Sequence, residues 1–138
     1  MSHKELIDGM NHITISVKNI DRAFSFYKDV LGLKPVMKSS RNAYFCAGKA
    51  WIALNQDEAY EPSNNYAHIA FNIPEKNYHE FVKLLEEKGI KEWQQNESEG
   101  DSLYLLDDSG NKLEIHISTL EDRVRYGKAH YGEDVQWF

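Results

Sequence analysis

The chain has 138 residues, a single cysteine and a formal net charge of −6. A chain of this length buries one ordinary core, so any two half-size units within it must share that core. The negative charge argues against nucleic acid or an anionic membrane as a partner. No apolar run is long enough to span a bilayer, the first residues do not resemble a signal peptide, and the lone Cys46 predicts a reducing, cytoplasmic location.

The first half of the chain opens on an alternating run and continues into a helical pattern. Residues 12–17 place His12, Thr14 and Ser16 on one face of a predicted strand and three apolar residues on the other. An apolar stripe at helical spacing then predicts a helix, capped near residues 19–21 and ended by Gly32. Residues 43–46 and 51–54 predict two further strands joined by a tight turn.

The second half repeats this order of elements. Residues 68–73 again open on a histidine, His68, and the stripe from Tyr78 to Leu85 predicts a helix that ends at Gly89. Residues 103–106 and 112–117 predict two strands around a turn at 107–111. Each half therefore reads β-α-β-β, with room for one more short strand. We expect one domain over residues 1–138, with repeat units at about 9–57 and 65–118 and a C-terminal helix and tail at 119–138.

The repeat places two histidines at equivalent points. One histidine on a strand is usually structural, but two pseudo-equivalent strands side by side would bring His12 and His68 to related positions on the concave face of a curved sheet. Glu114 is a third candidate, because alternation along its strand turns Glu114 and His116 away from the apolar layer. Alternatively, Glu114 is not a ligand and its carboxylate is exposed to solvent on the outer face of the sheet. Two imidazoles and one carboxylate suit a divalent transition metal that acts as a Lewis acid.

Three segments carry a resemblance to a known family: residues 9–14, residues 66–71, and above all residues 92–104, followed by Leu113 and Glu114. The sequence resembles the glutathione-dependent fosfomycin resistance transferases of the glyoxalase, or vicinal oxygen chelate, superfamily over about residues 9–123. The resemblance implies an α+β fold of paired βαβββ units in a curved mixed sheet, and a domain-swapped homodimer. It also implies antibiotic resistance by addition of glutathione, or a related thiol, to the epoxide of fosfomycin.

The resemblance further implies cofactors and roles for individual residues. Mn²⁺, or another divalent metal, is expected at His12, His68 and Glu114. K⁺ is expected as an activator in a loop formed by Asn96, Ser98, Gly100 and Ser102. Thr14 and Arg123 are the expected catalytic residues, and the thiol channel is expected at Tyr44 and Trp51. The substrate phosphonate is expected at Tyr66, Gln94, Ser98, Ser102, Tyr104 and Arg123.

Some of these positions can also be interpreted without the family. The loop at 96–102 contains small residues that let carbonyls converge, and its carboxylates attract a cation, although a polar solvated connection is the usual interpretation. Arg123 follows a capped helix start at Thr119 and supplies the fixed positive charge that an anionic substrate needs, or pairs with a surface carboxylate. Tyr44 and Trp51 are equally well explained as core aromatic residues, and Thr14 as a β-branched strand residue.

Two positions depart from the family pattern. Gln94 stands where the transferases usually carry lysine, and Glu97 where they usually carry arginine, so two positive charges near the site are missing. The bacillithiol or cysteine-using branch typically has cysteine at the position of Thr14, and the epoxide hydrolase branch has a glutamate near Asn42. A metal-free drug-binding protein of the same fold is the competing class, and metal content distinguishes it from an enzyme.

Overall fold

The computed structural model describes residues 6–96 and 100–138. Within these ranges the chain forms eight strands and three α-helices, which divide between two compact units. Unit 1 comprises the residues up to Asn64 together with Asp107–Asn111, and unit 2 comprises Asn65–Leu106 together with Lys112–Phe138.

Unit 1 is a four-stranded mixed sheet covered by one helix. The elements are β1 (His12–Val17), α1 (Ile20–Ser25), β2 (Pro35–Lys38), β3 (Asn42–Ala47) and β4 (Ala50–Gln56). The strands lie in the order β1-β4-β3-β2, with β1 parallel to β4 and the other neighbours antiparallel. The predicted alternation of β1 is confirmed, since Ile15 and Val17 are buried whereas His12 and Thr14 are exposed.

The helix of unit 1 has an irregularity that its sequence pattern did not predict. Asn19 lies within the range predicted for the cap, and its side chain caps the start of the helix by accepting a hydrogen bond from the Arg22 amide. After α1 the chain continues as a π-helical turn at Phe26–Val30, which buries Phe26 and Tyr27. The predicted end at Gly32 is confirmed by its φ of 74°, which glycine adopts without strain.

Unit 2 has the same topology as unit 1. The elements are β5 (Ile69–Asn72), α2 (Glu75–Glu87), β6 (Glu92–Gln94), β7 (Ser102–Leu106), β8 (Lys112–His116) and α3 (Leu120–His130). The sheet order is β5-β8-β7-β6, with β5 parallel to β8. The capping box between Thr119 and Asp122 starts α3 as predicted. The repeated β-α-β-β-β order confirms the predicted paired βαβββ units, and the extra short strand is β2 in the first half and β6 in the second.

The turn between β7 and β8 belongs to unit 1 by its contacts. Tyr27 donates a hydrogen bond over 2.8 Å to the buried carboxylate of Asp107, which also accepts from the backbone amides of Ser109 and Asn111. The Asn111 side chain donates to the carbonyl of Ser16. Burial and the neighbouring Asp107 hold the pKa of Tyr27 well above its usual value. Desolvation, reinforced by Asp107, raises the pKa of Asp108 to about 6.

Among the residues that the structure describes, no helix is both long and apolar enough to cross a membrane.

Candidate metal centre

The predicted site residues fall into two groups, one in each unit. The first half-site lies in unit 1 and consists of His12, Trp51 and Tyr44. His12 and Trp51 pair across β1 and β4, and their rings stack with centroids 4.1 Å apart. Tyr44 lies 4.8 Å from the Trp51 ring. The two residues predicted for the thiol channel thus contact each other, and one of them, Trp51, contacts the predicted metal ligand His12.

The His12 side chain has a defined orientation. Its Nδ1 lies 2.6 Å from Oδ1 of Asn11, and this oxygen can only accept a hydrogen bond. In the neutral imidazole this contact favours the tautomer with the proton on Nδ1, which leaves Nε2 as the atom that can bind a metal. Stacking on Trp51 restricts rotation of the ring, because the flat indole covers one of its faces.

The second half-site lies in unit 2 and consists of His68, Glu114, Ser102 and His116. The Nε2 atom of His68 lies 3.0 Å from Oε1 of Glu114. Glu114 is buried, with 5% exposure, although its strand pattern also allowed a solvated carboxylate. Burial of a carboxylate is costly unless hydrogen bonds or a cation compensate for the lost water.

The contact between His68 and Glu114 indicates what kind of ligand fits this half-site. His68 Nδ1 lies 2.8 Å from the Tyr66 carbonyl, which only accepts, so the proton of the neutral imidazole lies on Nδ1. Nε2 then directs a lone pair toward a carboxylate oxygen. Two such atoms attract each other only when a proton or a metal ion lies between them. Nitrogen and oxygen donors with this histidine orientation fit a divalent transition metal.

The second oxygen of Glu114 is held by two buried neighbours. Ser102 donates a hydrogen bond to Oε2 over 2.7 Å, and Nδ1 of His116 lies 3.2 Å from the same oxygen. Ser102 and His116 also contact each other. Ser102, predicted to bind substrate and K⁺, therefore directs its hydroxyl at Glu114. His116 supports the carboxylate from the same strand face, two residues along β8.

Aromatic and amide side chains surround the second half-site. Gln94 donates to the Tyr66 hydroxyl over 3.0 Å, and the Tyr66 ring lies 5.0 Å from His68. Tyr104 lies 6.0 Å from His68 across the sheet. These three residues, all predicted to bind substrate, are therefore close to one another or to His68. Trp93, to which the sequence pattern assigned no role, lies between them, 5.3 Å from His68.

The predicted monovalent-cation loop is described only in part. Asn96 donates to the carbonyl of Gly100 over 2.8 Å, which brings two of the predicted residues together. Gly100 has a φ of 73°, and a Cβ there would collide with Oγ of Ser118, so only glycine fits. Ser98, and with it Glu97, lies outside the described residues.

The two predicted catalytic residues lie on different units. Thr14 follows His12 on the exposed face of β1, opposite Ala53. Arg123 lies in the first turn of α3 in unit 2. Across residues 6–96 and 100–138, no group of three or more His, Cys, Asp or Glu side chains is arranged to hold a metal ion. The three predicted ligands are distributed as one histidine in unit 1 and a histidine–glutamate pair in unit 2.

The fold and these half-sites agree with a match to a known family. Residues 9–115 match the family model described as the Glyoxalase/Bleomycin resistance protein/Dioxygenase superfamily. The chain belongs to this superfamily, as its sequence resemblance predicted.

Two of the relatives of this chain carry the names of thiol transferases. The chain is 35% identical over 123 residues to glutathione transferase FosA from Serratia marcescens, covering 86% of this chain and 87% of FosA. It is 39% identical over 133 residues to metallothiol transferase FosB from Shouchella clausii, covering 91% of this chain and 88% of FosB.

Solved structures confirm the fold class. The fosfomycin resistance protein FosX from Listeria monocytogenes, complexed with Mn(II) and sulfate, has a TM-score of 0.75 and 26% identity, covering 91% of this chain and all of that one (100%). FosX from Mesorhizobium loti has a TM-score of 0.71 and 28% identity, covering 86% and 99%.

Proposed function

We propose that this protein is a metal-dependent thiol transferase that inactivates fosfomycin by adding glutathione to its epoxide. The observation that carries the proposal is the pair formed by His68 and the buried Glu114, in which Nε2 of the imidazole faces the carboxylate and Nδ1 bonds to the Tyr66 carbonyl. Relatives named glutathione transferase FosA and metallothiol transferase FosB support the reaction class.

The metal ligands in this proposal are His12, His68 and Glu114, and Mn²⁺ is the proposed ion. The related FosX from Listeria monocytogenes was crystallised as a complex with Mn(II), which supports this choice. A divalent cation in such a site supplies Lewis-acid polarisation of a substrate oxygen. The family resemblance implies a domain-swapped homodimer, and we propose that His12 comes from one chain and His68 and Glu114 from the other.

We propose that the remaining residues bind the substrate phosphonate and stabilise the negative charge that develops when the epoxide opens. We assign Arg123, Tyr66, Gln94, Tyr104, Ser98 and Ser102 to the phosphonate of fosfomycin. We assign Thr14 to hydrogen-bond the oxygen released from the ring, because its hydroxyl shares the exposed face of β1 with His12. In the reaction the S–C bond forms as the ring C–O bond breaks, and the new alkoxide takes up the proton that the thiol loses.

Activation by K⁺ forms part of the proposal. Its ligands would come from the loop of Asn96, Ser98, Gly100 and Ser102. The hydrogen bond from Asn96 to the carbonyl of Gly100, which brings two of these residues together, supports this assignment.

Thiol addition is favoured over epoxide hydrolysis by the residue at position 42. The resemblance implies that the hydrolase branch carries a glutamate near this position, whereas the side-chain amide of Asn42 donates to Asn55 over 2.9 Å. A neutral amide does not act as a general base toward water. Tyr44 and Trp51, beside His12, are the proposed contacts of the thiol.

The test is an assay of fosfomycin turnover with glutathione, cysteine or bacillithiol, and with no thiol, each with and without Mn²⁺. We expect metal-dependent glutathione consumption that Glu114→Gln abolishes, because the amide replaces the anionic ligand at nearly the same size. Arg123→Ala should lose most of the activity while it keeps the metal. Formation of a diol without thiol would identify a hydrolase. Drug binding with neither turnover nor metal binding would identify a sequestering protein.

A further inference from the structure

Trp93 reaches the second half-site through an irregularity in β6. Glu92 pairs with Leu105 and Gln94 pairs with the adjacent residue Tyr104, so Trp93 is an extra residue in its strand. Such a bulge changes the direction of a side chain relative to regular alternation. The indole of Trp93 accordingly lies on the side of Tyr104, with the ring centroids 5.2 Å apart.

The indole of Trp93 contacts the strand that carries Glu114 and the imidazole of His68. Its Nε1 donates to the carbonyl of Leu113, the residue before Glu114, over 3.0 Å. Its ring centroid lies 5.3 Å from the imidazole of His68. The ammonium of Lys112 lies 5.5 Å from the ring centroid, and this lysine also donates to the carbonyl of Asn65. Trp93 is thus fixed by a hydrogen bond and a cation–π contact.

His68 depends on such support because it precedes β5. The strand begins at Ile69, so the backbone of His68 lies outside the strand pairing that fixes Glu114 on β8. Its ring is therefore held by contacts outside the strand: the hydrogen bond to the Tyr66 carbonyl, the contact with Glu114, and packing against the rings of Tyr66, Trp93 and Tyr104. Outer-shell contacts of this kind determine how well a ligand set fits its metal.

We propose that Trp93 is a positioning residue that holds His68 in register with Glu114 for metal binding. This inference rests on the metal site of the proposed function. The indole connects the two ligands, because one of its edges bonds to the strand of Glu114 while its ring packs against the imidazole. Loss of the indole should therefore weaken metal binding without removing a ligand.

The test measures Mn²⁺ affinity of the full chain by electron paramagnetic resonance titration of the free ion. We expect Trp93→Leu to weaken affinity by about tenfold or more, within the range for outer-shell residues. Trp93→Phe keeps an aromatic ring and loses only the hydrogen bond to Leu113, so its loss should be smaller. Trp137→Leu is the matched control, because it removes an indole from the C-terminal tail, and it should bind as the parent does.

Urea unfolding of the metal-free proteins separates positioning from packing. Lower stability of Trp93→Leu with unchanged Mn²⁺ affinity would make Trp93 a packing residue and overturn the inference. If Trp93→Leu does not fold, the comparison of Trp93→Phe with the parent decides, and equal affinity overturns the inference. A parent protein that binds no divalent metal would instead overturn the proposed site, and this inference with it.

Discussion

The side-chain amide of Gln94 donates a hydrogen bond to the hydroxyl of Tyr66, 3.0 Å away. Both residues are proposed to bind the phosphonate, and both are neutral. The related transferases usually carry lysine at the position of Gln94, so this chain has an uncharged pair at that point of the proposed pocket. Substitution of Gln94 therefore tests whether the substrate of this pocket carries the negative charge of a phosphonate.

Gln94→Lys should raise kcat/KM for fosfomycin by about tenfold, which corresponds to roughly 1.4 kcal/mol of transition-state stabilisation. The reason is that a charge-assisted hydrogen bond to a phosphonate contributes about 1.5 to 3 kcal/mol. The measurement is steady-state kinetics with glutathione and with cysteine. Gln95→Lys is the control, since it adds the same charge one residue away, where Gln95 bonds to Glu92. An unchanged kcat/KM in Gln94→Lys would point to a less anionic substrate than fosfomycin.

The proposed metal ligands can be distinguished from their support by substitution. His12→Ala, His68→Ala and Glu114→Ala should each abolish stoichiometric Mn²⁺ binding while the chain stays folded. His116→Ala should keep the stoichiometry and weaken affinity, because His116 contacts the carboxylate oxygen that Ser102 also holds. Isothermal titration calorimetry and circular dichroism measure both properties. If His68→Ala retains parental affinity and His116→Ala loses it, His116 is the ligand in place of His68.

The swapped homodimer predicts complementation between inactive chains. A His12→Ala chain mixed with a Glu114→Ala chain should regain activity, because one of the two sites in the mixed dimer combines intact ligands. The measurement is fosfomycin turnover after subunit exchange, verified by mass spectrometry of the dimers. A mixture of His68→Ala and Glu114→Ala chains is the control, and it should stay inactive because both substitutions fall on the same unit. Inactivity of the first mixture would indicate a site built within one chain.

Asp108 predicts a pH-dependent stability. Its folded pKa of about 6 lies above the ordinary 3.8, so the folded chain binds this proton more tightly than the unfolded chain. The contribution of Asp108 to stability is therefore complete below about pH 4 and is lost as the pH rises through about 6. Asp108→Asn should raise the urea midpoint more at pH 7 than at pH 5. Asp8→Asn, an exposed control, should show no such difference. Equal effects of Asp108→Asn at both pH values would contradict the raised pKa.

Repeated patterns made most of the fold predictable. The alternation from His12 to Val17 appears in the structure with the same bounds, because one face of that strand is buried. The capping residues Asn19 and Thr119 were identifiable because capping is a local interaction. The π-helical turn at Phe26–Val30 was not predictable, since a single turn of i→i+5 bonding is too short to change the period of an apolar stripe visibly. Strands as short as β6 carry too few residues to show alternation.

Candidate site residues stand out in the sequence where they recur or match a motif, and do not stand out where their placement depends on tertiary packing. His12 and His68 stood out because the repeat places them at equivalent points. Trp93 gave no such signal, because its direction comes from a bulge that only strand pairing reveals. The contact of Ser102 with Glu114 likewise depends on how β7 pairs with β8. The available clue to Trp93 was its place in the segment at 92–104, one of the three segments that carry the resemblance.

The turn at Asp107–Asn111 means that the two repeats do not correspond to separable halves of the chain. A fragment ending at Asn64 would leave the Tyr27 hydroxyl in an apolar core without its carboxylate, and the Ser16 carbonyl without the Asn111 amide. Each buried polar group left unsatisfied costs about 1–3 kcal/mol, a large part of the stability of a small domain. The first repeat therefore depends on a loop encoded within the second, and we expect a fragment ending at Asn64 to be much less stable than the same residues in the full chain.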